Sequence, residues 1–244
     1  YEEWKEGQRS LHSFSLGFAT LARSCLLGGV LMLRRNILGL MVCIVCLGAA
    51  TLSYAGQPDP ILSGAVAATA GEVSVFTLPD GNGKGLNEAK VEVGGEVDAT
   101  ITVTLVDALG NPIFLYPFED MWLETSAGGL APCNGGTVSD GSTDINGQTT
   151  FSAALYAGGS SDRVGGEKCK VIVNGTALVG SDMDILFNSA DIDGDLQVGL
   201  PDTVAFVPLY TGGVYNYSID FFFDGGINLS DLVLYAGGLN TACP

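Results

Sequence analysis

The sequence predicts a mainly β fold: an antiparallel β-sandwich followed by a small α module made of two loop–helix repeats. Three observations carry that expectation. From Ala99 to Leu105, apolar residues and threonines alternate with a period of two, the pattern of a strand with one face buried and the other wet. Short stretches of this kind are separated by turns rich in Gly, Asn and Pro, in a chain that holds 35 glycines. Near the C-terminus, Asp191–Asp202 and Asp220–Asp231 are two copies of one acidic twelve-residue pattern, 29 residues apart, each running into an apolar stretch with helical character.

Residues 1–31 are expected to be an upstream extension outside the working protein, and 32–55 a secretory signal peptide. Met32 is followed by Arg34 and Arg35, an apolar run from Ile37 to Leu47, and the small-residue end Leu52-Ser53-Tyr54-Ala55, which is the anatomy of such a signal. A membrane anchor starting near Leu26 is the competing reading, but Arg34 and Arg35 interrupt it, and the apolar run after them is short for a spanning helix. Val42 and Val45 rule out a lipoprotein box before Cys43 or Cys46. The mature protein is therefore expected to be secreted, extracellular or at the cell surface, with no membrane association after cleavage.

Beyond Ala55 five basic residues (Lys84, Lys90, Arg163, Lys168, Lys170) face 24 acidic ones, a net charge near −19 against −17 for the whole chain. Such a surface repels nucleic acid and anionic membranes and suits the uptake of cations. The only histidine, His12, precedes the expected cleavage point, so the mature chain holds neither a Ser-His-Asp or Cys-His site nor a His-ligated zinc. Three cysteines remain, Cys133, Cys169 and Cys243. In an oxidising compartment a Cys133–Cys169 disulfide across the β domain is expected, leaving Cys243 odd, although all three pairings stay open from sequence.

The mature length suffices for one cored domain, 56–188, and a small module, 189–244, with the boundary at Asn188-Ser189-Ala190. Strands are expected at Glu72–Leu78, Ala99–Leu105, Met121–Leu123 (with Trp122 as a core anchor), Thr149–Leu155, Lys168–Val173 and Met183–Phe187. Asp107–Pro112 and Asp144-Ile145-Asn146-Gly147 read as turns between them.

Two of these turns carry a resemblance. Val106-Asp107-Ala108-Leu109-Gly110-Asn111-Pro112-Ile113 and Thr143-Asp144-Ile145-Asn146-Gly147-Gln148-Thr149-Thr150-Phe151 resemble the bacterial immunoglobulin-like domains of invasin and intimin type. The resemblance covers about half the domain. It implies an immunoglobulin-like antiparallel sandwich used as a spacer or adhesive unit, without catalytic residues.

The acidic repeats have the spacing by which an EF-hand-type loop wraps a calcium ion, a hard cation that takes oxygen ligands. In the first loop Asp191, Asp193 and Asp195 each offer a carboxylate, Gln197 its backbone carbonyl, and Asp202 closes the loop. In the second, Asp220, Asp224, the backbone of Gly226, the side chain of Asn228, and Asp231 stand at matching places, while Phe222 occupies the third place and cannot ligate. Two Ca2+ sites are therefore expected, the second weaker. Gly225 stands where the second loop must turn sharply; in the first, Leu196 holds that place. Pro201 and Ser230 suit helix starts, and Pro208 is expected to shorten or kink the first helix. Calcium binding would let Val198, Ile227, Val204 and Leu232 pack.

A tandem of loop–helix units without entering helices is similar to the type I dockerin module. The likeness is strongest over Asp220…Asp224-Gly225…Ile227-Asn228-Leu229-Ser230-Asp231-Leu232, within a region of about Ala190–Asn240. It implies a module that folds on calcium and docks onto a cohesin-like protein partner. Leu200-Pro201 and Leu229-Ser230 stand at its partner-recognition positions, where the usual Ser-Thr pairs are missing. Docking onto the chain's own sandwich is the intramolecular counterpart. A competing reading is a polysaccharide-degrading or carbohydrate-binding component of a cellulosome-like assembly. The acids available for hydrolysis are Glu119, Asp120 and Glu124, and the aromatics available for stacking on polysaccharide are Phe114, Tyr116 and Phe118. The leading expectation is a non-catalytic, calcium-binding docking protein.

Overall fold

The computed structural model describes residues 56–244, so the extension and signal segment expected over 1–55 lie outside the described residues. The described residues belong to one compact unit. It is mainly β, with several sheets and two α-helices. Among the described residues no helix is long and apolar enough to cross a membrane.

The alternating segment forms β5 (Ile101–Thr104), which pairs antiparallel with β1 (Gly64–Ala67) on one side and β8 (Gln148–Phe151) on the other. Ile101 and Val103 point inward and Thr102 outward, as the period of two requires. A second sheet joins β6 (Met121–Thr125), β10 (Cys169–Val173) and the short β11 (Thr176–Ala177). A third has the order β12 (Ile185–Ser189), β2 (Val73–Thr77), β3 (Ala89–Val91) and β4 (Gly95–Val97). A ribbon of β7 (Leu130–Pro132) and β9 (Ala157–Gly159) completes the β portion. The inner faces of the three larger sheets share one core, built from Val73, Val75, Ile101, Val103, Met121, Leu123, Phe151, Val171, Ile185 and Phe187, among others.

Three expectations need correction. The sheets are not antiparallel throughout: β12 runs parallel to β2, Ile185 opposite Val73 and Ser189 opposite Thr77. All five residues of each strand are buried, as expected of a strand covered on both faces. Trp122 is not a core anchor. Met121 and Leu123 take the inward positions of β6, and Trp122 stands half-exposed with its Nε1 donating to Glu124 Oε1 at 2.7 Å. The disulfide is Cys133–Cys243, not Cys133–Cys169. Cys169 opens β10 opposite Thr125, faces the core and is a fully buried free thiol. Cys133 follows β7 and lies beside the C-terminal tail instead.

The outer side of the β2/β12 pair carries the helices α1 (Leu200–Thr211) and α2 (Leu229–Gly238). Phe76 and Leu78 from the sheet side join Ala190, Val198, Phe206, Ile219, Phe221 and Tyr235 in a second core. Phe206 stacks on Tyr235 with ring centroids 4.2 Å apart, and Phe76 meets Phe221 at 5.3 Å. Ile227 and Leu232 pack against this cluster as expected, but Val204 does not: the turn of α1 places Phe206 inward and Val204 in solvent. Pro208 lies inside α1, which continues to Thr211. The expected boundary at 188/189 falls at the end of β12, and the residues after it pack on those before.

One buried acid belongs to the β scaffold. Glu167 is inaccessible, with Oε1 accepting from the N–H groups of Ala127 (3.0 Å) and Gly129 (2.8 Å) and Oε2 from that of Asp162. Burial pushes its pKa up, but hydrogen bonds from Thr125 and from these N–H groups outweigh it, and the pKa is lowered. Its stabilisation is therefore fully present above the unfolded-state value and lost as pH falls through the lowered folded-state value. Glu167→Ala orphans these three N–H groups as well as the Thr125 hydroxyl and should cost about 2–4 kcal/mol in urea unfolding at pH 7. The difference from wild type should shrink in acid; a difference independent of pH would contradict this account.

Candidate metal-binding loops

The first loop leaves β12 directly, through Ala190 into Asp191. Asp191 is buried, and its carboxylate organises the loop: Oδ1 accepts from Gly194 N (3.0 Å) and Asp195 N (3.2 Å), Oδ2 from Leu196 N (2.9 Å). The second loop follows a 3-10 turn over Tyr217–Ile219 and repeats the scheme. Asp220 Oδ1 accepts from Asp224 N (3.2 Å) and Oδ2 from Gly225 N (3.1 Å). No α-helix enters either loop, as expected.

The closing aspartates match as well. Asp202 accepts from Ile192 N (2.7 Å) and Asp193 N (3.3 Å) through Oδ1 and from Gly199 N (2.7 Å) through Oδ2. Asp231 accepts from Phe222 N (2.9 Å) and Asn228 N (2.8 Å). Both stand in the first turn of their helices, where an anion also faces the positive end of the helix dipole. The loops share backbone conformation even where their residues differ. Gly194 and Phe223 hold matching left-handed positions (φ 73° and 53°), as do Leu196 and Gly225 (φ 72° and 81°). The fold imposes these turns on Leu196 and Phe223 despite the cost to a side-chain-bearing residue.

The loops differ as metal sites. In the first, Asp191, Asp193 and Asp195 each present an oxygen, all within 4.8 Å of one another. The donors are hard oxygens, with Asp193, Asp195 and Gln197 reaching solvent, so the set fits a hard cation such as calcium. Among the described residues, Asp220, Asp224 and Asp231 form no such convergent group. Phe222 lies under Lys90, whose Nζ is 4.9 Å from the ring centroid. Asn228 is occupied as a helix cap, with Oδ1 accepting from Ser230 N and Nδ2 donating to Asp224 Oδ2. Gly226 donates its N–H to Asp224 Oδ1.

Burial raises the pKa of three of these acids. That of Asp191 is pushed up to about 6 by burial first, with Asp202 and Asp195 adding like charge. Asp220 and Asp231 are raised by burial and by the nearby charges of Asp231 and Asp224 respectively. Clustered, desolvated carboxylates of this kind favour a proton or a cation.

Several residues around the loops carry no local sequence signal. Asp191 is seated on Gly158 of β9, where a methyl group would overlap the Asp191 carboxylate; Gly159 N donates to Asp191 O at 2.8 Å. Tyr215 donates its hydroxyl to Asp220 Oδ2 (3.0 Å) and accepts from Arg163 (3.1 Å). Arg163 also pairs with Glu72 (2.7 Å) and Glu92 (3.2 Å) and lies over Phe223. Gly94, in the β3–β4 turn, donates to Phe223 O at 2.9 Å. These contacts join segments far apart in sequence, which neither periodicity nor spacing encodes.

The other sequence-selected residues do not gather into a site. Glu119 and Asp120 sit in an exposed 3-10 turn, and Glu124 is exposed on β6 beside Trp122. Phe114 and Phe118 are exposed, whereas Tyr116 is buried in the main core.

A scan of protein-family models returns no match, and a search of curated proteins returns none. Among solved structures, the chain is similar to "Crystal structure of the Lin-41 filamin domain" at 17% identity and a TM-score of 0.27, over 53% of this chain and 97% of that one.

Two substitutions test the loop geometry. Gly158→Ala should displace Asp191 and cost about 1–3 kcal/mol in urea unfolding, while Gly64→Ala, where a methyl meets nothing within 4 Å, should cost far less. Leu196→Gly should relieve the left-handed strain and raise stability by about 1 kcal/mol; a loss of stability would show that packing of the Leu196 side chain outweighs the backbone cost.

Proposed function

We propose that Asp191–Asp231 is a calcium-binding loop–helix pair of dockerin-like type, in a secreted, non-catalytic protein whose β portion is an immunoglobulin-like sandwich. The observation that carries this reading is the convergence of Asp191, Asp193 and Asp195 within 4.8 Å. Calcium takes about six to eight oxygens at roughly 2.3–2.6 Å. Three carboxylates, the Gln197 carbonyl, an oxygen of Asp202 and water suffice for that number. The second loop is the weaker site, since Phe222 gives no oxygen and the Asn228 amide is engaged in capping.

The docking role rests on the exposed side of the helices. Leu200 and Leu229 hold equivalent places and are 75% and 67% exposed; Val204 and Val233, one turn on, are 65% and 62% exposed. This uncharged aliphatic face is the surface a cohesin-like partner would cover. The opposite side of the same helices faces Phe76 and Leu78, so docking onto the chain's own sheets and docking onto a partner use different faces. Association with polysaccharide would come through such a partner.

Calcium titration of the protein tests this, followed by calorimetry and thermal unfolding. Two binding events of unequal affinity are expected, and a free calcium level 100-fold above a site's Kd should add about 2.7 kcal/mol of stability for that site. Asp193→Asn with Asp195→Asn should remove the tighter event and spare the weaker one. Absence of any calcium-dependent heat or shift in Tm would falsify the metal reading, and retention of the tighter event in the double variant would move the site elsewhere.

A further inference from the structure

The C-terminal tail is built into the first loop. Gln197 forms an antiparallel bridge with Ala242. Val198 N donates to Thr241 O and Asn240 N to Val198 O, both at 2.9 Å, and Cys243 N donates to Leu196 O at 3.3 Å. The tail thus runs as a short strand beside Leu196–Val198, the segment that carries the Gln197 carbonyl. Its far end is bonded through Cys243 to Cys133, the residue after β7. That strand pairs with β9, Ala157–Gly159, on which Asp191 is seated. The disulfide therefore closes a ring: β7, the tail, the middle of the first loop, Asp191, β9, and back to β7. The second loop has no counterpart; among the described residues no β-bridge forms at Gly226.

We infer that the Cys133–Cys243 disulfide and the tail strand Asn240–Cys243 position the first loop for its metal, so that the oxidation state of this one bond sets the affinity of one loop and not the other. The inference rests on the calcium reading of the first loop. With the bond intact, the Gln197 carbonyl and the Asp191 carboxylate are anchored to the same ribbon and keep their separation. With it broken, the tail is held to the loop by the three hydrogen bonds above, and Leu196, in a left-handed conformation unfavourable for its side chain, loses part of what holds it there. Groups that orient metal ligands without touching the ion typically change affinity by about 10- to 100-fold when removed.

Opening the bond takes two electrons, which an external dithiol supplies. A dithiol thiolate attacks Sγ of Cys243, a half-buried residue, and Cys133 Sγ leaves with the electron pair of the S–S bond and takes a proton. The reductant's second thiol then resolves the mixed disulfide, leaving two protein thiols and an oxidised dithiol. Cys169 does not intervene, because it is fully buried and its thiol is pushed up to about 12 by that burial.

The test uses the full chain, labelled with nitrogen-15, and reads the Gly194 and Gly225 amide resonances as separate reporters of the two loops during calcium titration. Three samples are compared: oxidised protein, protein reduced with dithiothreitol, and the Cys133→Ser, Cys243→Ser double variant. In the second and third, the Kd read at Gly194 should rise about 10- to 100-fold, while that at Gly225 stays unchanged. Reoxidation of the reduced sample should restore the first value, which keeps the test decisive if the double variant folds poorly. Equal affinities at Gly194 in oxidised and reduced protein overturn the inference while leaving the calcium reading intact. Parallel weakening at both loops, or loss of the dispersed Trp122 indole resonance on reduction, overturns it in favour of a general staple of the fold. A Gly194 resonance that never responds to calcium in the oxidised protein overturns the calcium reading of that loop and the inference with it.

Discussion

Four buried aspartates, Asp191, Asp202, Asp220 and Asp231, set the terms for the C-terminal third of the chain. Removing an ionised carboxylate from water is expensive unless its oxygens find donors. Here the donors are N–H groups of the surrounding loop: three on Asp191, three on Asp202, two each on Asp220 and Asp231. To aim those N–H groups inward the backbone must turn left-handed twice per loop, at Gly194 and Leu196, and again at Phe223 and Gly225. The carboxylate at the start of each loop thus dictates its curvature. The one at the end fixes where the following helix begins.

The two loops meet this requirement with different supports. The first is held by the β7–β9 ribbon and by the disulfide-anchored tail, and its solvent-facing edge is left to Asp193 and Asp195. The second is held by the β3–β4 turn, which donates from Gly94 to Phe223 O, and by the Arg163–Tyr215–Asp220 chain of hydrogen bonds. Phe222 makes sense in that setting. A side chain that is poor as a ligand is a good contact for the Lys90 ammonium and for the hairpin turn, where its ring would meet any side chain added at Gly94. The place in the repeat that departs most from a metal ligand is the place where the repeat touches the sheets.

Much of this was legible in the sequence, and the reasons for the rest are physical. The period-two pattern located β5 within a residue or two, because alternation is enforced by one buried face. The Asp107 and Asp144 turns were legible because each aspartate accepts N–H groups within four residues of itself. The acidic repeats were legible for the same local reason. Trp122 was misplaced because strand register, not hydrophobicity, decides which residues face inward, and Met121 and Leu123 claimed those positions. The parallel pairing of β2 with β12, the seat of Asp191 on Gly158, and the partner of Cys133 all join segments far apart in the chain. Cys169 was the expected partner because both cysteines lie in the β region, but Cys169 serves as an apolar core residue in β10.

The shared aromatic core determines how the loops and the sheets affect one another. Phe76 and Leu78 belong to the sheet side, yet their packing partners are Phe206, Phe221 and Tyr235 from the helical side. Asn188, at the end of β12, donates to Asp220 O at 2.7 Å, and Ser74 on β2 hydrogen-bonds the Tyr217 hydroxyl at 2.8 Å. Both bonds are buried, so breaking them exposes or orphans polar groups on each side. The helical side and the pair of β2 and β12 are therefore joined through packed rings and buried hydrogen bonds. The same coupling means that residues 190–244 cut from the rest would lose Phe76, Leu78, Ser74, Asn188 and the bond to Cys133 together. The loop–helix repeats are completed by the sheets they rest on, and their folding is a property of the one compact unit they share with those sheets.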